Sequence, residues 1–263
     1  MTQSDSPFSF WQQFRLFPAA LHFYVRACLK ISRRDYVEKP VRFLPGLTAQ
    51  QQNVIETLNA HYHAYFEQRL NYLNSLENYH LLHLLHVHRA YLPSTAACMV
   101  DVGSRNFVYL PVFMHLFSPK EIHGVEIDAY PLMTDGHTRF SQATYYLSFY
   151  ASSFYHVCDF LRFRHTRPGS CDVISMFYPF VSPRPFLSWS LPKSAYHPEN
   201  FFKHAHQLLV PGGALMMINQ GYKEFLRASY YAQWAGFKNT YYALCRSLLL
   251  PRPDVPILSV WNR

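Results

Sequence analysis

Two spacings of apolar residues divide the chain. Over residues 1–94 they recur every three or four positions, the mark of helices with one apolar face. Phe10, Phe14, Phe17, Leu21, Tyr24 and Cys28 share such a face, which is expected to pack on the rest of the protein. Pro18 is expected to kink or restart this helix. Arg26, Lys30, Arg33 and Arg34 gather at its end, where basic charge suits the negative pole. "KPVRFLPG" reads as an extended linker. Thr48 is the expected N-cap of a long helical stretch reaching about Ala90, which "YLPST" ends.

From Ala96 the pattern changes to short apolar runs alternating with amphipathic segments. "ACMVDV", "EIHGVEID", "FYHVCDF", "CDVISMFYPF" and "ALMMINQ" read as strands, and "PGG" before the last as a turn. The helices between them are "VYLPVFMHLF", "TRFSQATYYLSFYA", "PENFFKHAHQLL" and "YKEFLRASYYAQWAG". "TYYALCRSLL" and "PILSVW" are two final strands with no helix between them, so this pair is antiparallel. Near-continuous apolar strands alternating with helices predict a parallel α/β sheet covered on both faces. The division expected is a helical extension over 1–94 and an α/β domain over 95–263.

Composition narrows the picture a little. With 49% hydrophobic and 15% charged residues, this is a packed protein and not a disordered one. The net charge of +8 admits an anionic partner without choosing one. No Lys/Arg cluster reaches nucleic-acid density; "SRR" at 32–34 comes nearest, so nucleic acid is possible but not indicated. Five dispersed cysteines with no CxxC read as buried free thiols in a reducing compartment, which makes a cytoplasmic location the expectation. No run of eighteen apolar residues predicts a spanning helix. A signal peptide fits poorly, because Leu16–Val25 contains Pro18 and His22. Residues 8–31 leave peripheral membrane contact open. His80, His83 and His86 step along one helix, but no HExxH or acid-rich set accompanies them. They read as a packing face, and no metal is expected.

In an open parallel sheet, ligands bind beyond the carboxyl ends of the strands. Those ends carry Asp101-Val102-Gly103, then Glu126-Ile127-Asp128, then Cys158-Asp159-Phe160, then Phe177-Tyr178. An acid 25 residues after Asp101, at the end of the next strand, is placed to bond ribose hydroxyls. The order "VDVGS", "HGVEID", "VCDF", "CDVISMFYPF", "HQLLVPGGALMMI" resembles the class I S-adenosylmethionine-dependent methyltransferases over about residues 80–263. The resemblance implies a Rossmann-like three-layer sandwich: a mostly parallel seven-stranded sheet with a C-terminal antiparallel hairpin. It implies S-adenosylmethionine as cofactor, held by Asp101, Gly103, Ser104, Arg105, Glu126, Ile127, Asp159, Phe160 and Phe177. It also gives residues 1–94 the role of covering the cofactor or shaping the acceptor pocket.

The sequence departs from that family at the first loop. Arg105 and Phe107 stand where two further glycines belong. Asn106 is a candidate for the left-handed turn in their place, and Arg105 for gripping the cofactor carboxylate or pointing outward. "FYPF" puts Phe177 where amine-methylating enzymes carry Asn, which argues against adenine-type amine methylation. Tyr178 is expected nearest the transferred methyl, with His197 or Tyr196 as general base for a hydroxyl acceptor. The acceptor itself stays unidentified, anionic by the chain's charge or flat and apolar by its aromatic residues. Two readings compete: an active methyltransferase, or a methyltransferase-like fold that binds or scaffolds without catalysis. A dehydrogenase is disfavoured, because the G-x-G-x-x-G fingerprint also fails at Arg105.

Overall fold

A computed structural model describes residues 10–31, 35–189, 191–250 and 254–263. Its centre is a seven-stranded sheet ordered β3-β2-β1-β4-β5-β7-β6. The strands are β1 (Cys98–Val102), β2 (Glu121–Glu126), β3 (Ser153–Val157), β4 (Cys171–Phe177), β5 (Leu209–Asn219), β6 (Lys238–Leu244) and β7 (Ile257–Asn262). The first five run parallel, and β7 lies antiparallel to both β5 and β6. This is the expected Rossmann-like sandwich with its C-terminal hairpin.

One face of the sheet is covered by α2 (Ala49–Tyr62), α3 (Tyr72–Val87), α4 (Leu110–Phe117) and α5 (Arg139–Leu147). Leu58, Tyr79, Leu82 and Phe113 from this layer form one cluster with Met99 and Val173. α6 (Pro183–Ser188) follows β4, and the other face carries α7 (Pro198–Leu208) and α8 (Tyr222–Trp234), whose Phe202, Ala205 and Ala228 pack on Val100, Ile174 and Leu215. Even and odd positions of each strand therefore serve different layers, as the period of two dictates. Thr48 caps α2 with a full capping box, as its side chain predicts.

Several expectations are corrected. The helix from Thr48 does not run to Ala90. It stops at Tyr62, with His63 and Tyr65 at positive φ, and α3 restarts with Asn71 as its N-cap. Apolar periodicity continues across the break, so only the cap marks it. "PGG" reverses nothing. β5 passes through Pro211, Gly212 and Gly213, and the pairing with β4 shifts register there. Gly212 has φ +78°, and a Cβ on Gly213 would lie 3.0 Å from Val210 O. The segment is a bulge that glycine suits. β6 ends at Leu244, short of "CRSLL".

Pro18 does not restart the first helix, because α1 (Phe10–Leu29) is one element through it. Pro18 is exposed, so water can reach the carbonyl that its missing amide leaves unbonded. Where its side chains are described, the expected apolar stripe of α1 is not buried: Phe17, Leu21, Tyr24 and Cys28 are exposed, and among the described side chains of α1 the buried one is Phe23. Amphipathicity names the apolar residues of a helix but not the surface they meet. The side chains of Phe10 and Phe14, and residues 8–9 and 32–34 with Arg33 and Arg34, lie outside the described residues. None of the described helices is long and apolar enough to cross a membrane.

Candidate active site

Strand order reverses between β1 and β4, which opens a crevice at the carboxyl edge of the sheet. A cavity of about 390 Å³ fills it, within the usual range for small-molecule sites. Gly103, Arg105, Glu126, Ile127, Asp159, Phe160, Phe177, Tyr178 and His197 all line it. Asp101, Ser104 and Tyr196 do not. A second cavity of about 240 Å³ lies near Arg69, His115 and Tyr150, away from these strand ends.

Asp101 is buried inside β1 and accepts a hydrogen bond from Ser175 Oγ of β4 at 2.7 Å. It ties the two central strands together and does not face the cavity. Burial pushes its pKa up to about 7; the Ser175 bond opposes this, and the charge of Glu126 adds to it. Ser104 is also buried, under the loop that follows β1. Its backbone amide donates to Val125 O, and the loop is thereby fixed to β2.

That loop keeps left-handed geometry without the glycines. Gly103, Arg105 and Phe107 have φ of 71°, 54° and 58°. Asn106, the expected substitute, is not among them; its Nδ2 donates to Gln142 Oε1 instead. A left-handed residue with a Cβ costs about 1–2 kcal/mol, so something must hold Arg105 and Phe107 in place. For Arg105 it is the backbone: its amide donates to Glu126 Oε2 at 2.8 Å, and its carbonyl accepts from the Tyr155 hydroxyl. Its side chain is exposed at the rim of the cavity. For Phe107 it is packing, because the ring is fully buried in the core. The room comes from Gly124 in β2, where a Cβ would sit 3.0 Å from the ring and from Ser104 Oγ. The substituted loop has therefore not filled the crevice.

Glu126 is the hinge of this arrangement. One carboxylate oxygen takes the Arg105 amide and the other takes the Asp128 amide at 2.8 Å. Burial raises its pKa, while Arg139 and the two backbone bonds pull it down. Asp159 caps the short turn Phe160–Arg162 through Leu161 N, and Phe160 packs edge-on against Phe201. Tyr178 leaves β4 with φ 56°, its amide held by Ile218 O at 2.7 Å. His197 immediately precedes α7 and does not cap it with its side chain. Tyr196 bonds Val181 O, and burial pushes its pKa up to about 12, which suits a structural hydroxyl and not a base.

Sequence reasoning gave no role to two acids that line the cavity. Asp128 lines the cavity and forms a bidentate pair with Arg26 of α1, at 2.8 and 2.7 Å. Glu224 of α8 lines it as well, bonded to Asn219 and Gln220 N. Over the opening, Phe180, Phe186 and Trp189 form an aromatic cover, with Phe23 of α1 packed in the same cluster as Phe186. Arg139 lies 4.6 Å over the Trp189 ring and also donates to Asp128 O. "EID" after Glu126 was the sequence signal for Asp128. Nothing local signalled Arg26, which is 102 positions away.

No protein-family model matches this sequence, and no curated protein does. Solved structures match it by shape. Geranyl diphosphate C-methyltransferase from Streptomyces coelicolor A3(2) aligns over 95% of this chain and 98% of its own, with TM-score 0.52 and 11% identity. A SAM-dependent methyltransferase from Leishmania major aligns over 82% of this chain and 85% of its own, with TM-score 0.52 and 12% identity. The strand order, the closing hairpin and these superpositions agree: the chain has the fold of the class I S-adenosylmethionine-dependent methyltransferases.

Proposed function

We propose that the cavity binds S-adenosylmethionine and that the chain transfers its methyl group to an acceptor under the aromatic cover. The observation that carries this reading is Glu126, a buried carboxylate at the end of β2 that braces the β1 loop and also lines the cavity. The lining suits the cofactor chemically. A Cβ on Gly103 would meet nothing within 4 Å, so the chain there leaves open space. Glu126, Asp128, Asp159 and Glu224 supply acceptors for hydroxyls and amines, and they favour a cationic ligand. When bound, the cofactor supplies a methyl group made electrophilic by its sulfonium.

In this reading Glu126 accepts from the ribose hydroxyls, and Asp159 accepts from the adenine amine beside Phe160. Arg105, at the rim, pairs with the cofactor carboxylate. Ile127 and Phe177 give apolar walls. Asp101 and Ser104 act indirectly, by fixing the strands and loop that present Gly103. Tyr178 and the aromatic cover orient the acceptor and exclude water, which is most of what in-line transfer asks of a protein. His197 takes the proton of a hydroxyl acceptor. The aromatic cover favours a flat or apolar acceptor group. Residues 1–94 contribute through α1, whose Arg26 and Phe23 brace the rim, while its exposed Trp11, Phe17 and Leu21 suit peripheral membrane contact. Five free cysteines suit a reducing, cytoplasmic setting.

The competing reading, a binding or scaffold protein without catalysis, rests on the strained Arg105 and Phe107. Calorimetric titration with S-adenosylmethionine and S-adenosylhomocysteine, with NAD as control, separates the two. Micromolar binding of the first two that is lost in Glu126→Ala is the expected result. No heat with either, in a folded and ligand-free sample, refutes the proposal and leaves the scaffold.

A further inference from the structure

The amino edge of the sheet holds a second group of chemistry-bearing side chains, on the face covered by α7 and α8. Cys98 opens β1, Glu121 opens β2, and His123 stands two residues further along β2. The sulfur, carboxylate oxygen and imidazole nitrogen of these three lie within 4.8 Å of one another. Register explains the convergence: Cys98 pairs with Glu121 across β1 and β2, and Glu121 and His123 point to one face. Cys171 opens β4 on the other side of β1, with its sulfur 3.6 Å from that of Cys98.

His123 is the telling residue. It is buried, yet its Nε2 makes no hydrogen bond; the nearest acidic oxygen is Glu121 Oε1, at 3.8 Å. Buried nitrogens are rarely left so. Its other nitrogen, Nδ1, is bonded to His156 Nε2 at 3.0 Å, and Phe154 and Phe163 pack against the ring. An outer partner on one imidazole nitrogen, with the other left open toward a thiol and a carboxylate, is how ligating histidines are oriented. The Cys98 thiol, the sulfur of this group, donates to Cys171 Sγ at 3.6 Å and is held in place by it.

The geometry points to a zinc site formed by Cys98, Glu121 and His123, pinning β1 to β2 at the edge opposite the cavity, with the Cys171 thiol beside it. A mixed thiolate, imidazole and carboxylate set suits Zn²⁺ rather than a hard cation. Glu121 is half-exposed and gives the ion a way in. Each thiol that binds the ion releases its proton to solvent. None of His80, His83 and His86 takes part. His80 bonds Ser247 and His86 bonds Tyr62, in keeping with a packing face.

The test uses the reduced, metal-stripped full chain carrying Cys28→Ala, which removes the exposed thiol. Titration with Co²⁺ should give a thiolate-to-cobalt charge-transfer absorption that saturates at one ion per chain and is displaced by Zn²⁺. Cys98→Ser should abolish it. Glu121→Ala, a change at the surface that leaves the fold intact by circular dichroism, should weaken Co²⁺ affinity by about ten-fold or more. Three results would overturn the site. They are absence of the absorption in folded reduced protein, affinity unchanged in Glu121→Ala, and a Cys98–Cys171 disulfide in the metal-loaded chain by mass spectrometry.

Discussion

The strand β2 has two ends, and they treat their polar groups in opposite ways. At the carboxyl end, both oxygens of Glu126 are bonded to backbone amides, and the acid still lines a cavity. At the amino end, Glu121 is half in water and His123 keeps a buried nitrogen without a bond. Under the proposed function the first pattern is preorganisation: the group proposed to meet the cofactor is already satisfied by the protein, so little would move on binding. The second is a deficit, which the proposed zinc would fill. Between the two ends lies Gly124, which has no side chain because Phe107 occupies its place. The middle of the strand thus carries the stress of the substituted loop, while its ends carry the chemistry.

The sharpest way to break this contrast is to remove what both ends share. Phe107→Ala empties a fully buried site and should cost about 3–5 kcal/mol of stability, read by denaturant unfolding. It should weaken cofactor and cobalt binding together, since the strand between them loses its support. Glu126→Ala should act on one end alone. S-adenosylhomocysteine affinity should fall about a hundred-fold, or about 2.7 kcal/mol by calorimetry, with the cobalt absorption unchanged. A matching loss of cobalt binding would show that the two ends are one unit. Arg26→Ala leaves Asp128 buried and unpaired at the cavity rim. About a ten-fold loss of cofactor affinity is expected, with faster amide exchange in α1 and none of the amino-edge properties altered.

The last effect concerns pH. Asp101 has its pKa raised from 3.8 to about 7 in the folded chain, chiefly by burial. Between these values the unfolded chain has lost the proton and the folded chain retains it. Stability from this group therefore falls as pH rises from about 4 to 7 and is level below and above that window. Asp101→Asn should remove this slope, as seen in unfolding curves collected across the window. A slope that survives the substitution would assign it to other buried acids, Glu126 first.

Much of this was readable from local pattern. The strands from Cys98 onward, the closing hairpin, Thr48 as a cap and the acids at the strand ends all depend on neighbours within a few residues. What escaped depends on distance or on exclusion. The loop looked damaged because glycine is the sequence sign of positive φ, whereas here a core contact and a carboxylate enforce it on Phe107 and Arg105. Asn106 fitted the local rule and was wrong, since its side chain found Gln142 instead. Asp101 passed for a ligand contact because any acid at a strand end does; only the cross-strand bond to Ser175 shows its inward direction. The stripe on α1 was real as a periodicity, but the helix meets the protein through Phe23 and Arg26.

The exchange between Phe107 and Gly124 has a consequence for descent. The two positions are coupled, because a side chain at Gly124 would crowd the Phe107 ring to about 3.0 Å. A lineage reaching this state has to lose the side chain in the strand before, or together with, gaining the ring in the loop. Relatives that share the trait would carry their missing glycine 21 positions downstream of Gly103, in the facing strand. A search pattern that pairs an aromatic loop with a bare strand position would gather such a lineage, where one that counts consecutive loop glycines passes it by.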